Sequence, residues 1–302
     1  MTALAPGIFQ GKRLVVFGAG YVGGAVAREA VRLGLSVTAL TRNAGKAAAL
    51  AADGIDAVTA ELASEQWYSK IGGGADYVLN CVSSGGGGVE SYRRSYVEGM
   101  QSILRWAASV GGVGTLLYTS STSVYPQSGG ARVDETASTA GVEGTPAVLL
   151  EAENRLRSAD ADAVLRWFIL RLAGIYGPDR HSMLDQLRAG ETALGGHGEH
   201  RLNLIHRDDI VTAILAAFAA THETANEIFN IADDGAARKA EVVGWLAQQL
   251  GRAEPSFTGV ATVGRRAVTP ERVIANDKIK TRLGWCPRYP DFRAGYRMIL
   301  EA

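Results

Sequence analysis

The chain has 302 residues, of which 47 % are apolar and 21 % charged, and its 31 basic side chains are balanced by 31 acidic ones. A disordered chain would be poorer in apolar residues and more highly charged, and zero net charge gives no global drive towards nucleic acid or an anionic membrane. Glycine is in excess at 37 residues, without the Gly-X-Y period that would signal collagen.

Residues 12–18 form a short apolar run closed by glycine, which predicts a buried strand. Residues 21–33 follow with Val22, Ala25, Val26, Ala30 and Leu33 at helical spacing, and Gly34 stops the helix. The pattern repeats, with strands at 35–41, 55–59, 75–82, 114–120 and 164–172 and helices at 44–52, 90–110 and 145–160. Six short, continuously apolar strands alternating with helices predict an α/β fold: a doubly wound parallel Rossmann sheet covered on both faces. Beyond it the chain is mixed, with short strands at 204–205 and 227–231 and helices at 208–220 and 239–250. Too few strands remain for an independent second sheet. The expected organisation is a dinucleotide-binding domain at 11–175 and a smaller substrate-binding lobe at 176–302, partly packed back on the first.

The two cysteines, Cys81 and Cys286, show no paired or metal-ligand spacing, and Cys81 lies in an apolar run as a core thiol. His197 and His200 sit in a glycine-rich loop without further ligands nearby, so no metal is expected. Residues 1–10 lack the pattern of a secretory signal, and no apolar run reaches the ~18 residues of a membrane span. A cytoplasmic protein without nucleic-acid or membrane partners is expected.

The first strand-to-helix junction reads Gly18-Ala19-Gly20-Tyr21-Val22-Gly23-Gly24. In a GxGxxG turn of this context, Gly18 permits the turn, Gly20 lets a pyrophosphate approach the backbone, and Gly23 allows helix and strand to pack closely. The second strand ends Thr41-Arg42-Asn43, with no acid for a ribose 2′-hydroxyl and with Arg42 placed to meet a 2′-phosphate. The expected cofactor is therefore NADP, with NAD as the alternative.

Four further segments carry a resemblance. They are Tyr118-Thr119-Ser120-Ser121-Thr122-Ser123-Val124-Tyr125, Arg171-Leu172-Ala173-Gly174-Ile175-Tyr176-Gly177-Pro178, Asn203-Leu204-Ile205-His206-Arg207-Asp208-Asp209 and Phe229-Asn230-Ile231. In order and spacing they resemble the extended short-chain dehydrogenases/reductases of the NAD-dependent epimerase/dehydratase family. The resemblance implies cofactor contacts from Gly18, Gly20, Tyr21, Val22, Gly23, Arg42, Glu61, Leu62, Cys81, Val82, Ser83 and Tyr176. It implies substrate contacts from Ser84, Ser123, Arg201, Asn203 and His206, with Ser121 on the substrate oxygen. It also implies a homodimer through the helices at 90–110 and 145–160.

The family's Tyr-x-x-x-Lys pair is missing. Alignment on Glu153 puts Thr145 at the tyrosine position and Leu149 at the lysine position. Threonine is no general acid near neutral pH and leucine carries no charge. Thr122 and Ser123 occupy the places where a dehydratase needs carboxylates. Substitute proton donors are Tyr125, Tyr176, Tyr92, Tyr96 and His206, although packing is the stronger reading for Tyr125, a structural role the stronger one for Tyr176, and His206 reads also as a core histidine. Arg201 reads as an anion contact or a surface ion pair. The four glycines at 85–88 read as a lid or a slack loop. The expected function is an NADP(H)-dependent oxidoreductase or epimerase acting on a carbonyl or sugar-nucleotide-like substrate. The alternatives are a non-catalytic redox sensor or regulator, and a non-redox isomerase or lyase that uses the cofactor structurally.

Overall fold

The computed structural model describes residues 5–84, 86, 88–260 and 270–301. In chain order, β1 (Arg13–Phe17) leads through the glycine turn into α1 (Tyr21–Arg32). There follow β2 (Ser36–Thr41), α2 (Ala44–Ala52), β3 (Asp56–Thr59) and β4 (Tyr77–Asn80). Next come α3 (Gly99–Ser109), β5 (Val113–Ser121), α4 (Thr145–Arg157) and β6 (Val164–Leu172). The chain then adds α5 (Arg207–Ala219), β7 (Glu227–Ile231), α6 (Lys239–Gln249) and α7 (Phe292–Glu301).

The seven strands form one sheet in the order β7-β6-β5-β4-β1-β2-β3, and every neighbouring pair is parallel. This is the doubly wound Rossmann fold. Both faces are buried, which is why the strands read as unbroken apolar runs. Leu14 and Val16 of β1 join the core beneath α1 and α5, while Val15 and Phe17 join the opposite core with Trp67 and Trp106. Strand order reverses between β1 and β4, so the carboxyl ends of these two strands open a crevice.

Two features depart from the sequence expectation. The helix expected at 90–110 starts at Gly88–Tyr92 and passes through a π-helical turn at Arg93–Glu98 before α3 begins. The strand at Glu227–Ile231, from the C-terminal part of the chain, lies in the main sheet beside β6.

Other segments of the C-terminal part gather around a small core of Tyr176, Leu184, Leu204, Val243, Phe292 and Tyr296, while α5, Ile279 and Trp285 join the main core. Short parallel pairings join Gly174–Tyr176 to Leu204–His206 and Ala131–Val133 to Arg272–Ile274. Among the described residues, no helix is long and apolar enough to cross a membrane.

Candidate functional site

The glycine turn sits at the crevice between β1 and β4. Gly18 has φ +90°, and a Cβ there would lie 2.6 Å from the Val82 amide nitrogen. A Cβ on Gly23 would lie 2.3 Å from the Gly18 carbonyl oxygen, so helix and strand meet at a distance only glycine allows. A Cβ on Gly20 would meet nothing within 4 Å, which leaves an open face over the turn. Gly20 is also the N-cap of α1, with no side-chain cap and no acid in the first turn. The first-turn N–H groups of Tyr21 and its neighbours and the positive end of the helix dipole are thus left to an anion.

Tyr21 and Val22 open α1, and the Tyr21 hydroxyl donates to the Pro178 carbonyl at 2.7 Å. Cys81 follows β4 and donates its N–H to the Phe17 carbonyl at 2.8 Å; burial pushes its thiol up. Val82 and Ser83 line the same edge, and the Ser84 N–H lies 3.4 Å from the Tyr96 hydroxyl. At the far end, Arg42 is exposed and makes no ion pair among the described residues, and Asn43 beside it caps α2 through the Lys46 N–H. Glu61 faces Arg94 at 3.7 Å, and Leu62 is buried with its carbonyl accepting the Trp67 indole N–H at 3.0 Å. Residues 85 and 87 of the expected lid lie outside the described residues.

The catalytic positions are placed less uniformly. Ser121 ends β5, and its Oγ accepts the Ser123 N–H at 3.1 Å, leaving the hydroxyl hydrogen to donate elsewhere. Thr145 opens α4 and is partly exposed, whereas Leu149, in the family's lysine position, is buried in the core. Tyr125 takes its packing reading and not that of a proton donor. It is 1 % exposed, its hydroxyl donates to Asn230 Oδ1 at 2.8 Å, and it accepts from Arg171 Nη1 at 2.9 Å. Tyr176 likewise takes its structural reading: its ring stacks on Tyr296 at 4.9 Å inside the small core and burial pushes its phenol up.

His206 is corrected as a substrate contact. It is fully buried between the rings of Tyr176 and Tyr289, its Nδ1 accepts the Asp208 N–H, and burial pulls it down to about 4. Arg201 donates to the Ala236 carbonyl at 3.1 Å and faces Glu271 at 3.8 Å. Asn203 spans the Arg272 carbonyl and the Ile274 N–H, and it lines a polar cavity with Asp233, Asn276 and Lys280. Arg201 and Asn203 thus meet the consecutive residues Glu271 and Arg272, whereas His206 lies buried between Tyr176 and Tyr289. Of the five substitute donors, Tyr92 and Tyr96 alone are partly exposed, and their rings lie 5.1 Å apart.

The sequence reading missed the network that seals the floor of this crevice. Arg171 and Glu153 form a buried bidentate pair at 2.6 and 3.0 Å, and Ser120 Oγ donates to the same carboxylate at 2.6 Å. Arg272 Nη1 donates to the Tyr125 carbonyl at 2.6 Å and its Nη2 to the Thr122 carbonyl at 2.9 Å. The signal was present in Arg171, a cation inside the apolar run Phe168-Ile169-Leu170, which demands a buried anion. No group of three or more His, Cys, Asp or Glu side chains among the described residues could hold a metal ion.

This parallel sheet, its reversal point and its glycine turn define a Rossmann-type protein. Residues 14–232 match the NAD dependent epimerase/dehydratase family, and the chain belongs to that family. Protein YeeZ of Escherichia coli K12 is 31 % identical over 196 residues, which make up 65 % of this chain and 66 % of YeeZ, just under two thirds of the relative's length. The 3-diazoavenalumate denitrifying reductase of a Streptomyces species is 29 % identical over 163 residues, half of this chain and 51 % of that protein. Among solved structures, the UDP-glucuronic acid 4-epimerase of Bacillus cereus, in complex with UDP-glucuronic acid and NAD, superposes with a TM-score of 0.80. That match has 17 % identity and covers 96 % of this chain and 99 % of the epimerase.

Proposed function

We propose that the chain binds a nicotinamide dinucleotide, NADP(H) in preference to NAD(H), and acts as an oxidoreductase or epimerase on a carbonyl or sugar-nucleotide-like substrate. The observation that carries this reading is the turn itself: glycine where only glycine fits, an open face at Gly20 and an uncapped α1. The B. cereus epimerase holds NAD on the same fold, and a reductase stands among the relatives. The preference for NADP(H) rests on Arg42, an exposed guanidinium just after β2 that makes no ion pair among the described residues and has no carboxylate next to it in sequence to repel a 2′-phosphate.

The bound cofactor would supply the hydride, and the chain's own groups would do the rest. Ser121 donates its free hydroxyl hydrogen to the substrate oxygen. Tyr96, in the π-helical turn with its hydroxyl against the Ser84 N–H that follows β4, replaces the missing family tyrosine as proton donor. Burial raises its phenol above the ordinary value. Thr145 hydrogen-bonds without transferring a proton. Residues 176–302 complete the substrate side, and two copies pair through the groove between α3 and α4.

A second reading, a non-catalytic redox sensor, is favoured by one observation: the buried Leu149 leaves no ammonium where the family's lysine acts. Fluorescence titration with NADPH and NADH, followed by absorbance loss over a panel of aldehydes, ketones and nucleotide sugars, separates the two. Tighter NADPH binding with turnover that Ser121→Ala abolishes at unchanged cofactor affinity supports the enzyme. Binding without turnover supports the sensor, and absence of binding overturns both.

A further inference from the structure

The loop after Gly174–Tyr176 is folded onto the glycine turn. Gly177 and Arg180 exchange backbone hydrogen bonds at 3.1 and 3.2 Å, which closes a tight loop with the exposed Asp179 at its tip. Gly177 has φ +148°, and a Cβ there would lie 2.8 Å from the Tyr21 hydroxyl, so the loop approaches α1 as closely as glycine permits. The Tyr21 hydroxyl holds the Pro178 carbonyl, and His181 faces Asp185 at 2.8 Å on the far side.

This anchoring places the Arg180 guanidinium carbon 5.5 Å from the centre of the Tyr21 ring. Arg207 approaches the same ring at 5.2 Å, but its guanidinium is engaged by Asp208 at 2.9 Å. Arg180 makes no ion pair and no side-chain hydrogen bond among the described residues, and it is exposed. The turn provides only backbone N–H groups and a helix dipole equivalent to about half a charge, whereas a dinucleotide brings a pyrophosphate with two negative charges. A planar guanidinium matches phosphate oxygens in a bidentate fashion.

We propose that Arg180 is the side-chain clamp of the cofactor pyrophosphate, delivered across the crevice by the loop of the second lobe. The proposal rests on the reading of the glycine turn as a dinucleotide site. It assigns separate phosphates to two exposed arginines: the pyrophosphate to Arg180 and the 2′-phosphate to Arg42.

Calorimetric titrations with NADPH, ADP-ribose and 2′-AMP test it without any turnover. Arg180→Ala should weaken NADPH and ADP-ribose by about tenfold or more and leave 2′-AMP within about twofold of wild type. Arg42→Ala should show the reverse, losing 2′-AMP and keeping ADP-ribose. Arg180→Lys should recover part of the loss, since it restores charge without the bidentate fork. ADP-ribose affinity unchanged in Arg180→Ala overturns the clamp alone, as does an equal loss of 2′-AMP, which would mark a general disturbance. A wild-type protein that binds neither NADPH nor ADP-ribose overturns the dinucleotide site and the clamp with it.

Discussion

Glu153 and Arg171 show how a single buried charge sets constraints on its surroundings. Each is nearly inaccessible, and each would be left uncompensated without the other. Removal of one partner from such a pair costs about 3–5 kcal/mol. Glu153→Ala should therefore lower unfolding stability by that amount in urea titration, and a loss below about 1 kcal/mol would show that water or rearrangement satisfies Arg171 instead. His206 offers a pH test. Its pKa is about 4 in the folded protein against 6.5 ordinarily, so the unfolded chain takes up a proton first and stability from this group is lost as pH falls from about 6.5 towards about 4. Asp209, raised to about 6 by burial, acts in the opposite sense, and its stabilising contribution is lost as pH rises through about 4 to 6. His206→Asn keeps an acceptor for the Asp208 N–H and removes the imidazole titration. The stability difference, variant minus wild type, should grow as pH falls through that window, as read from urea midpoints.

At the scale of elements, the strand–turn–helix unit was the most legible part of the sequence, because its glycines answer to local geometry alone. Gly18→Ala combines a backbone clash at Val82 with a positive φ, so it should cost well over about 1 kcal/mol of stability and abolish NADPH binding. Gly20→Ala meets no protein atom; it should melt within a degree or two of wild type by calorimetry, yet lose NADPH affinity because the methyl occupies the approach of the phosphates. The π-helical turn at Arg93–Glu98 left no trace in the apolar spacing, since Val97 is its one buried residue and so short a stretch fixes no period. The pairing of Ala131–Val133 with Arg272–Ile274 was equally hidden. It joins segments remote in sequence, and neither carries a local signal for its partner. The partners of Tyr125 were hidden for a related reason: the strand end marked the residue, but Arg171 and Asn230 arrive from other strands to close over its hydroxyl.

At the scale of the whole molecule, the alternation of strands and helices identified the sheet, and the missing tyrosine–lysine pair identified what is unusual about the site. The proposed pairing of two copies involves the groove lined by Gln101, Leu104 and Arg105 of α3 and by Glu151, Asn154 and Arg155 of α4. Leu104→Glu should shift the sedimentation coefficient from dimer to monomer, and an unchanged species would place any association elsewhere.

The last strand of the sheet also governs how the chain reaches this structure during synthesis. Six strands can align once Leu172 has left the ribosome, but the outer edge of β6 stays open until Glu227–Ile231 arrives, more than fifty residues later. In that interval Phe168, which ends beside Phe229 in the core, lacks its partner ring, and a row of backbone donors and acceptors faces solvent. Nascent chains are thus exposed to strand-to-strand association with one another. A ribosome stalled between these two points should yield chains that chaperones hold, whereas release after Ile231 should end their dependence.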